Sequence, residues 1–544
     1  MDKALNKRYS FLLLLLPFAF LFIFFYYPIL FIIQKAFYID GNFSFQAFVN
    51  LLQQPWQRYV LAFTVKQAIL SLALTVAIGL PISLIFTYYE FPFKKQFKAL
   101  MMVPFVLPGI SVALGFILFY GQQGFVNKIL SYFNTNIQIL YSLKAILLAH
   151  AFYNVPLFVK MLNDTLENFN KNLVISARTL GSGKLYSFYK VVLPCIMPSI
   201  INVSILIFLY CFMSFGIILV LGGVKYTTIE VNIYTLVKHM LETEKGIALS
   251  FIQIIISLIM LNLANYFSRK HQKMSDQIRG AKQFCSPLLK QISSIKVLSL
   301  VVLLLFLVFI ISPLVSIFVY AFKSFVPFLT KLFSYDPYIG TQMYQPILNS
   351  VLLGLLVALF ALLISLLFRI SLAGKPYRKF IENLILLPLG ISGITFSLGY
   401  LFIFRPPTFN SFALLVIAQT IICLPFCYTA VSTAIDTVNV RIIYSANLLG
   451  ANQIKAYLSI VLPLIYKPII TALSFSFAIS LGEISSASML ANRFVTIPIS
   501  IYRYISARQF ASATNMSLLL VLTAIFAFTL SERLKFNKQR RKIR

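Results

Sequence analysis

The sequence predicts an all-α integral membrane protein of about twelve transmembrane helices, built as two parallel-repeat halves of six. Three observations predict it. First, 60% of the 544 residues are hydrophobic and only 11% charged, against roughly 45–50% and 25% in soluble domains. Second, Phe11–Ile33 and Val297–Phe322 are uncharged throughout, and each exceeds the about 20 apolar residues that a helix needs to cross the hydrocarbon core. Third, one pattern recurs in both halves at a fixed offset. A soluble enzyme, a disordered chain and a secreted disulfide scaffold are excluded.

Taken in order, apolar segments fall at 11–33, 60–87, 100–120, 143–163, 196–222, 246–266, 296–322, 347–368, 381–404, 411–433, 466–491 and 513–532. The first is too long for a signal-peptide core and no small-x-small cleavage site follows it, so it is expected to remain as an anchor. The net charge of +32, from 46 Lys+Arg against 14 Asp+Glu, then acts as an orientation code. Lys3, Lys7 and Arg8 place the N-terminus in the cytoplasm by the positive-inside rule. Every second connection is basic: Lys94, Lys95 and Lys98; Lys171, Arg178, Lys184 and Lys190; Arg269 through Lys296; Arg369, Lys375, Arg378 and Lys379; and the tail from Arg533 to Arg544. An outer connection such as 223–245 is mixed, with Glu230, Glu242 and Glu244 offsetting its lysines. Both termini are therefore expected in the cytoplasm, with no nucleic-acid partner.

The repeat lies between the fourth and fifth spans of each half. Ser176-Ala177-x3-Gly181 is followed after nine residues by Val191-Val192-Leu193-Pro194. Ser445-Ala446-x3-Gly450 is followed after nine by Ile460-Val461-Leu462-Pro463. The offset from Gly181 to Gly450 equals that from Pro194 to Pro463 and is close to half the chain. Asn154-Val155-Pro156 matches Cys423-Leu424-Pro425 at the same offset, and Gly109-x5-Gly115 matches Gly393-x5-Gly399 at a somewhat longer one. Each block reads as helix, glycine turn, short helix and a proline at membrane entry, with Gly181 and Gly450 free to take positive φ and Pro194 and Pro463 suited to a first turn. The expected division is a first module at 1–267, a basic cytoplasmic linker at 268–295 and a second module at 296–544.

This doubled spacing resembles the EAA loop, E-A-A-x3-G-x9-I-x-L-P, of bacterial ABC-importer permeases. The match is carried by Ala177, Gly181, Leu193 and Pro194, and by Ala446, Gly450, Ile460, Leu462 and Pro463. The chain departs at the family's glutamate, where Ile175 and Tyr444 stand, and Ser176 and Ser445 replace the first alanine. The resemblance implies the type I importer architecture, a location in the bacterial inner membrane, and loops that dock on a separate cytoplasmic ATPase. Two loops imply two copies of that ATPase, which would hold the ATP and Mg; an extracytoplasmic binding protein would deliver a small-molecule substrate. Two modules in one chain resemble the subset importing ferric iron or thiamine. Tyr120–Gly124, Ile146–Pro156 and Ser214 through Glu230 look most like the thiamine members, some of which take thiamine phosphates. Ferric iron is the alternative within the family. A proton-coupled twelve-helix carrier is the alternative outside it, but Glu90-Phe91-Pro92-Phe93-Lys94-Lys95 lacks the glycines such carriers place between spans two and three.

No catalytic or metal-binding set emerges. Gly183-Lys184 and Gly374-Lys375 are not phosphate loops, because Arg178 and Arg369 stand where the first glycine belongs and Leu185 and Pro376 where Ser/Thr belongs. The histidines are scattered, and Cys423 and Cys427 lack partners at metal-site spacing. Intramembrane polar groups default to functional candidates, so Glu483, His150 and Asn154 are the candidate pathway residues. The 54 Phe and 29 Tyr are expected mostly to face lipid or pack, not to form an aromatic substrate cage.

Overall fold

The computed structural model describes residues 13–39, 42–101, 103–167, 169–170, 172–278, 286–287, 294–404, 410–448, 450, 457–491 and 494–536. The basic residues of the N-terminus, the tail beyond 536 and most of the expected linker lie outside them, as do 451–456 of the second repeat block. Among the described residues ten helices are long and apolar enough to cross a membrane, or up to twelve if each of two bent pairs is one span. That agrees with the expected span count. The spans are called one to twelve in chain order.

Several spans are broken where hydropathy alone draws them continuous. The expected span at 100–120 comprises helices Lys94–Leu100, Val103–Val106 and Gly109–Tyr120. The one at 381–404 bends by 95° between Arg378–Gly390 and Gly393–Ile403. Pro104 and Pro388, related by the same offset as Gly115 and Gly399, mark these breaks; proline removes a ladder hydrogen bond and crowds the preceding turn. Spans five and eleven also differ from expectation. The helix of span five stops at Phe212 and a short one begins at Gly216; that of span eleven stops at Gly482 and resumes at Ser485. Span six runs on as helix to Ile278, so the expected linker begins as a continuation of that span, and Ser286–Pro287 pairs with Tyr89–Glu90.

The halves exchange their first spans. Span one packs on the helix Gly393–Ile403 of the second half, and span seven (Ser294–Thr330) on Gly109–Tyr120 of the first. Close approach requires the repeated glycine at each crossing: a Cβ on Gly115 would lie 2.7 Å from the Pro313 carbonyl oxygen, and one on Gly399 2.8 Å from that of Pro28. Tyr400 Oη donates to the Phe24 carbonyl and Tyr26 Oη to the Leu384 carbonyl at 2.9 Å. Small residues at such crossings let helices associate by backbone contact where lipid supplies no hydrophobic drive. Gly115→Val is expected to cost about 1–3 kcal/mol by overpacking, read as a lowered unfolding midpoint of the purified protein in detergent.

Candidate functional site

Two regions bring repeated residues together: a pair of protruding turns at one end of the bundle, and a cavity at the junction of the broken spans. In the first turn, helix Asn172–Thr179 ends in a left-handed glycine, Gly181 at φ +87°. Ser182 N–H donates to the Ala177 carbonyl at 3.1 Å and Gly181 N–H to that of Arg178 at 3.0 Å, the two-bond closure that a glycine C-cap permits. Helix Val440–Leu448 leads to Gly450 at φ +85°. Both blocks then enter the membrane through a π-turn, Phe188–Val192 and Tyr457–Val461, followed by Leu193-Pro194 and Leu462-Pro463 in a first helical turn. Ala446 is buried, whereas Ser176, Gly181, Ser445 and Gly450 are exposed; Ala177, Val191, Leu193, Ile460 and Leu462 are half-buried and the two prolines exposed. Leu180 and Leu448 are each 88% exposed. With Ile175, Tyr186 and Tyr189 they give the turns an apolar surface of the kind that a protein partner covers.

The acids preceding the two turns are held differently. Asp436 meets Arg369 at 2.6 Å and Arg378 at 2.7 Å, and Arg378 also pairs with Glu382 at 2.7 Å. Its repeat equivalent, Glu167, meets Lys98 at 2.6 Å, with both side chains at least 40% exposed.

The cavity holds about 330 Å³, and a hollow of about 140 Å³ lined by Leu107, Pro108 and Ala478 adjoins it. Both halves build it from equivalent positions: Leu157 and Phe426, Tyr210 and Ile479, Ser214 and Glu483, and Gly216 and Ser485 are each related by the Gly181-to-Gly450 offset. The structure places Glu483, His150 and Asn154 together on its wall. Glu483 Oε1 accepts from Ser485 N–H at 2.7 Å and Ser486 N–H at 3.2 Å, which fixes the carboxyl at the break of span eleven. His150 is 2% exposed; its Nδ1 pairs with Ser71 Oγ at 2.9 Å, while Nε2 has no partner. Asn154 Nδ2 lies 3.2 Å from Cys211 Sγ. Sequence reasoning missed the aromatic lining. Tyr153, Tyr210, Phe426 and Phe475 face the cavity rather than lipid, a distinction that apolarity cannot make. The repeat offset was the available signal, because applied to Glu483 it points at Ser214.

A third cluster ties the halves beside this cavity. Glu230, 1% exposed in helix Ile229–Lys238, accepts from Gln253 Nε2 and, at 2.6 Å, from Ser392 Oγ of the other half. Thr395 Oγ1 donates to Gln253 Oε1 at 2.8 Å. Burial pushes the Glu230 carboxyl up to about 8, opposed by the bonds from Ser392 and Gln253, with the charge of Glu483 adding to the rise. The folded state then binds more protons than the unfolded between the ordinary carboxylate range and about 8. This stabilising contribution is full at low pH and is lost as pH rises through about 8. The unfolding midpoint is expected to fall between about pH 5 and pH 8, and Glu230→Gln to flatten that slope.

The model of the family "Binding-protein-dependent transport system inner membrane component" matches residues 79–273 and again 370–537, together more than half of the chain. The chain belongs to this family. It is therefore a multi-pass inner membrane transport component, and the two matches give it two copies of the family's unit. The thiamine transport system permease protein of Haemophilus influenzae is 26% identical to this transport component over 91% of the chain and 92% of its own length. That of Brucella abortus is 24% identical over 91% and 90%. A solved bacterial ABC transporter involved in the import of the acidic polysaccharide alginate aligns with 49% of this chain and 98% of its own, at 19% identity and a TM-score of 0.43.

Proposed function

We propose that the chain is the membrane-spanning permease subunit of an ATP-binding-cassette importer of thiamine, with both termini in the cytoplasm. The observation that carries the substrate is likeness to thiamine permeases along nine-tenths of both chains, rather than across one module. The doubled turns around Gly181 and Gly450 support docking of two copies of a cytoplasmic ATPase, on which ATP and Mg are bound. Their exposed apolar residues suit a groove on such a partner, and their basic surroundings suit the cytoplasmic side. An extracytoplasmic binding protein would deliver substrate at the opposite end. Closure of the ATPase pair would then move the broken spans around the cavity and alternate its access.

Uptake of labelled thiamine by cells with and without the gene tests this reading. Uptake is expected to disappear with the gene, and to follow cellular ATP rather than the proton gradient. Collapse of uptake by a protonophore while ATP is maintained would instead favour a proton-coupled carrier, and unchanged uptake after deletion would remove thiamine as the substrate.

A further inference from the structure

The connection between spans one and two lies at the end of the bundle opposite the glycine turns, and the two halves build it differently. After span one the chain makes a two-residue hairpin, Tyr38–Ile39 with Asn42–Phe43, then helix Gln46–Gln53, before span two begins at Pro55. In the second half the hairpin of Tyr335–Asp336 with Thr341–Gln342 leads into span eight with no helix between. Protein contacts hold that hairpin down: Tyr504 Oη donates to Asp336 at 2.9 Å and Arg503 Nη1 to the Ile339 carbonyl at 2.6 Å.

Helix Gln46–Gln53 has three faces. Ala47 and Leu51 are buried against the bundle. Phe45, Val49 and Leu52, spaced by four and three, make an exposed apolar stripe. Gln46, Asn50 and Gln53, each one position further on and so turned by about 100°, make an exposed polar stripe. No residue from 42 to 57 is charged. Aromatic contacts set the depth of this helix. The rings of Phe37 and Phe48 pack on Phe251 with centroids at 4.9 and 5.5 Å, and Phe251 lies about two turns inside helix Thr243–Ile278 of span six. The short helix is thus level with the entry of its neighbours into the membrane, not raised above it. Trp56 stacks on Tyr59 beside it, both exposed, and these are the side chains that collect at membrane–water boundaries.

We propose that helix Gln46–Gln53 is a foot lying in the membrane surface, with its Phe45–Val49–Leu52 edge in the headgroup–acyl boundary of the lipid and its Gln46–Asn50–Gln53 edge in water. An amphipathic helix with one edge of each kind settles in that plane. Lacking charge, this one holds by apolar burial and not by attraction to anionic headgroups. Phe37 ends span one, which packs on the second half, and Phe251 belongs to span six of the first. The foot therefore fixes a span from each side of the crossing at one depth in the lipid.

The chain's single tryptophan makes the proposal measurable by fluorescence of the full chain in phosphatidylcholine nanodiscs. Val49→Trp and Asn50→Trp are each placed in a Trp56→Phe background, and quenched either by phosphatidylcholine brominated near the carbonyl end of its chains or by iodide in the buffer. Brominated lipid is expected to quench Val49→Trp at least about threefold more strongly than Asn50→Trp, and iodide the reverse, as insertion by only about 5–10 Å requires. Equal quenching of the two, by lipid or by iodide, would overturn the proposal; equal access to iodide would leave the apolar stripe in water and open to a protein partner instead. Should the variants fail to fold, Trp56 in the wild type decides. Quenching by the brominated lipid with little by iodide upholds the foot, and the opposite pattern overturns it.

Discussion

Replacing Gly181 and Gly450 together by valine is expected to abolish ATP-driven uptake and to release the ATPase from the purified complex. At φ +87° and +85° a β-branched residue is forced out of the left-handed region, at a local cost of about 1–3 kcal/mol per site. Nothing lies within 4 Å of a Cβ built at either glycine, so the cost is confined to the backbone of an exposed turn. The exposed turn is free to relieve that strain by changing conformation, so the unfolding midpoint should fall less than the summed cost while the shape of the turn is lost. Each single variant should retain one intact turn, and uptake at an intermediate level. Alanine, with a smaller side chain but the same φ restriction, should act in the same direction. Uptake and ATPase co-purification both surviving in the double valine variant would show that these turns do not couple to the motor.

Asp436→Ala is expected to destabilise the protein by about 1–3 kcal/mol, and Glu167→Ala by less than about 1 kcal/mol. The two acids are related by the repeat offset and occupy the same place before their turns, but their partners differ. Arg369, with a side chain only 6% exposed, loses the carboxylate of the half-exposed Asp436 in Asp436→Ala, and a buried charged donor left without its acceptor costs more than a broken surface pair. Lys98 and Glu167 are an exposed pair, worth roughly 0–1 kcal/mol. Asp436→Asn, which keeps an acceptor for Arg369, should recover part of the loss. The unfolding midpoints of the four proteins in detergent check the ordering; equal losses at positions 167 and 436 would contradict it.

Span count, duplication and the two glycine turns were legible in the sequence because each leaves a local mark: an uncharged run, a repeated spacing, a glycine where φ turns positive. The breaks in spans three, five, nine and eleven were not. Hydropathy counts apolar residues and is indifferent to a proline or a chain reversal among them, although Pro104 and Pro388 sat at matching repeat positions. Glu483, His150 and Asn154 stood out as polar residues in apolar surroundings, and the fold gathers them at one cavity. Tyr153, Tyr210, Phe426 and Phe475 did not stand out, since an aromatic ring looks the same in sequence whether it faces lipid, a neighbouring helix or a cavity. The Glu230 cluster was hidden for another reason. Its partner Ser392 is far along the chain, across the boundary between halves, and only the packing of helix Ile229–Lys238 on Gly393–Ile403 brings the two together.

The central claim, an ATP-driven thiamine permease, is tested most directly by reconstituting the chain in proteoliposomes with its ATPase and binding protein. Labelled thiamine is supplied with the binding protein on one side, and ATP with Mg on the other. The account predicts vectorial accumulation of thiamine that requires both ATP and the binding protein and is lost in the Gly181→Val/Gly450→Val protein. Thiamine accumulation driven by a proton gradient without ATP, or ATP hydrolysis stimulated by the loaded binding protein with no thiamine movement, would contradict it.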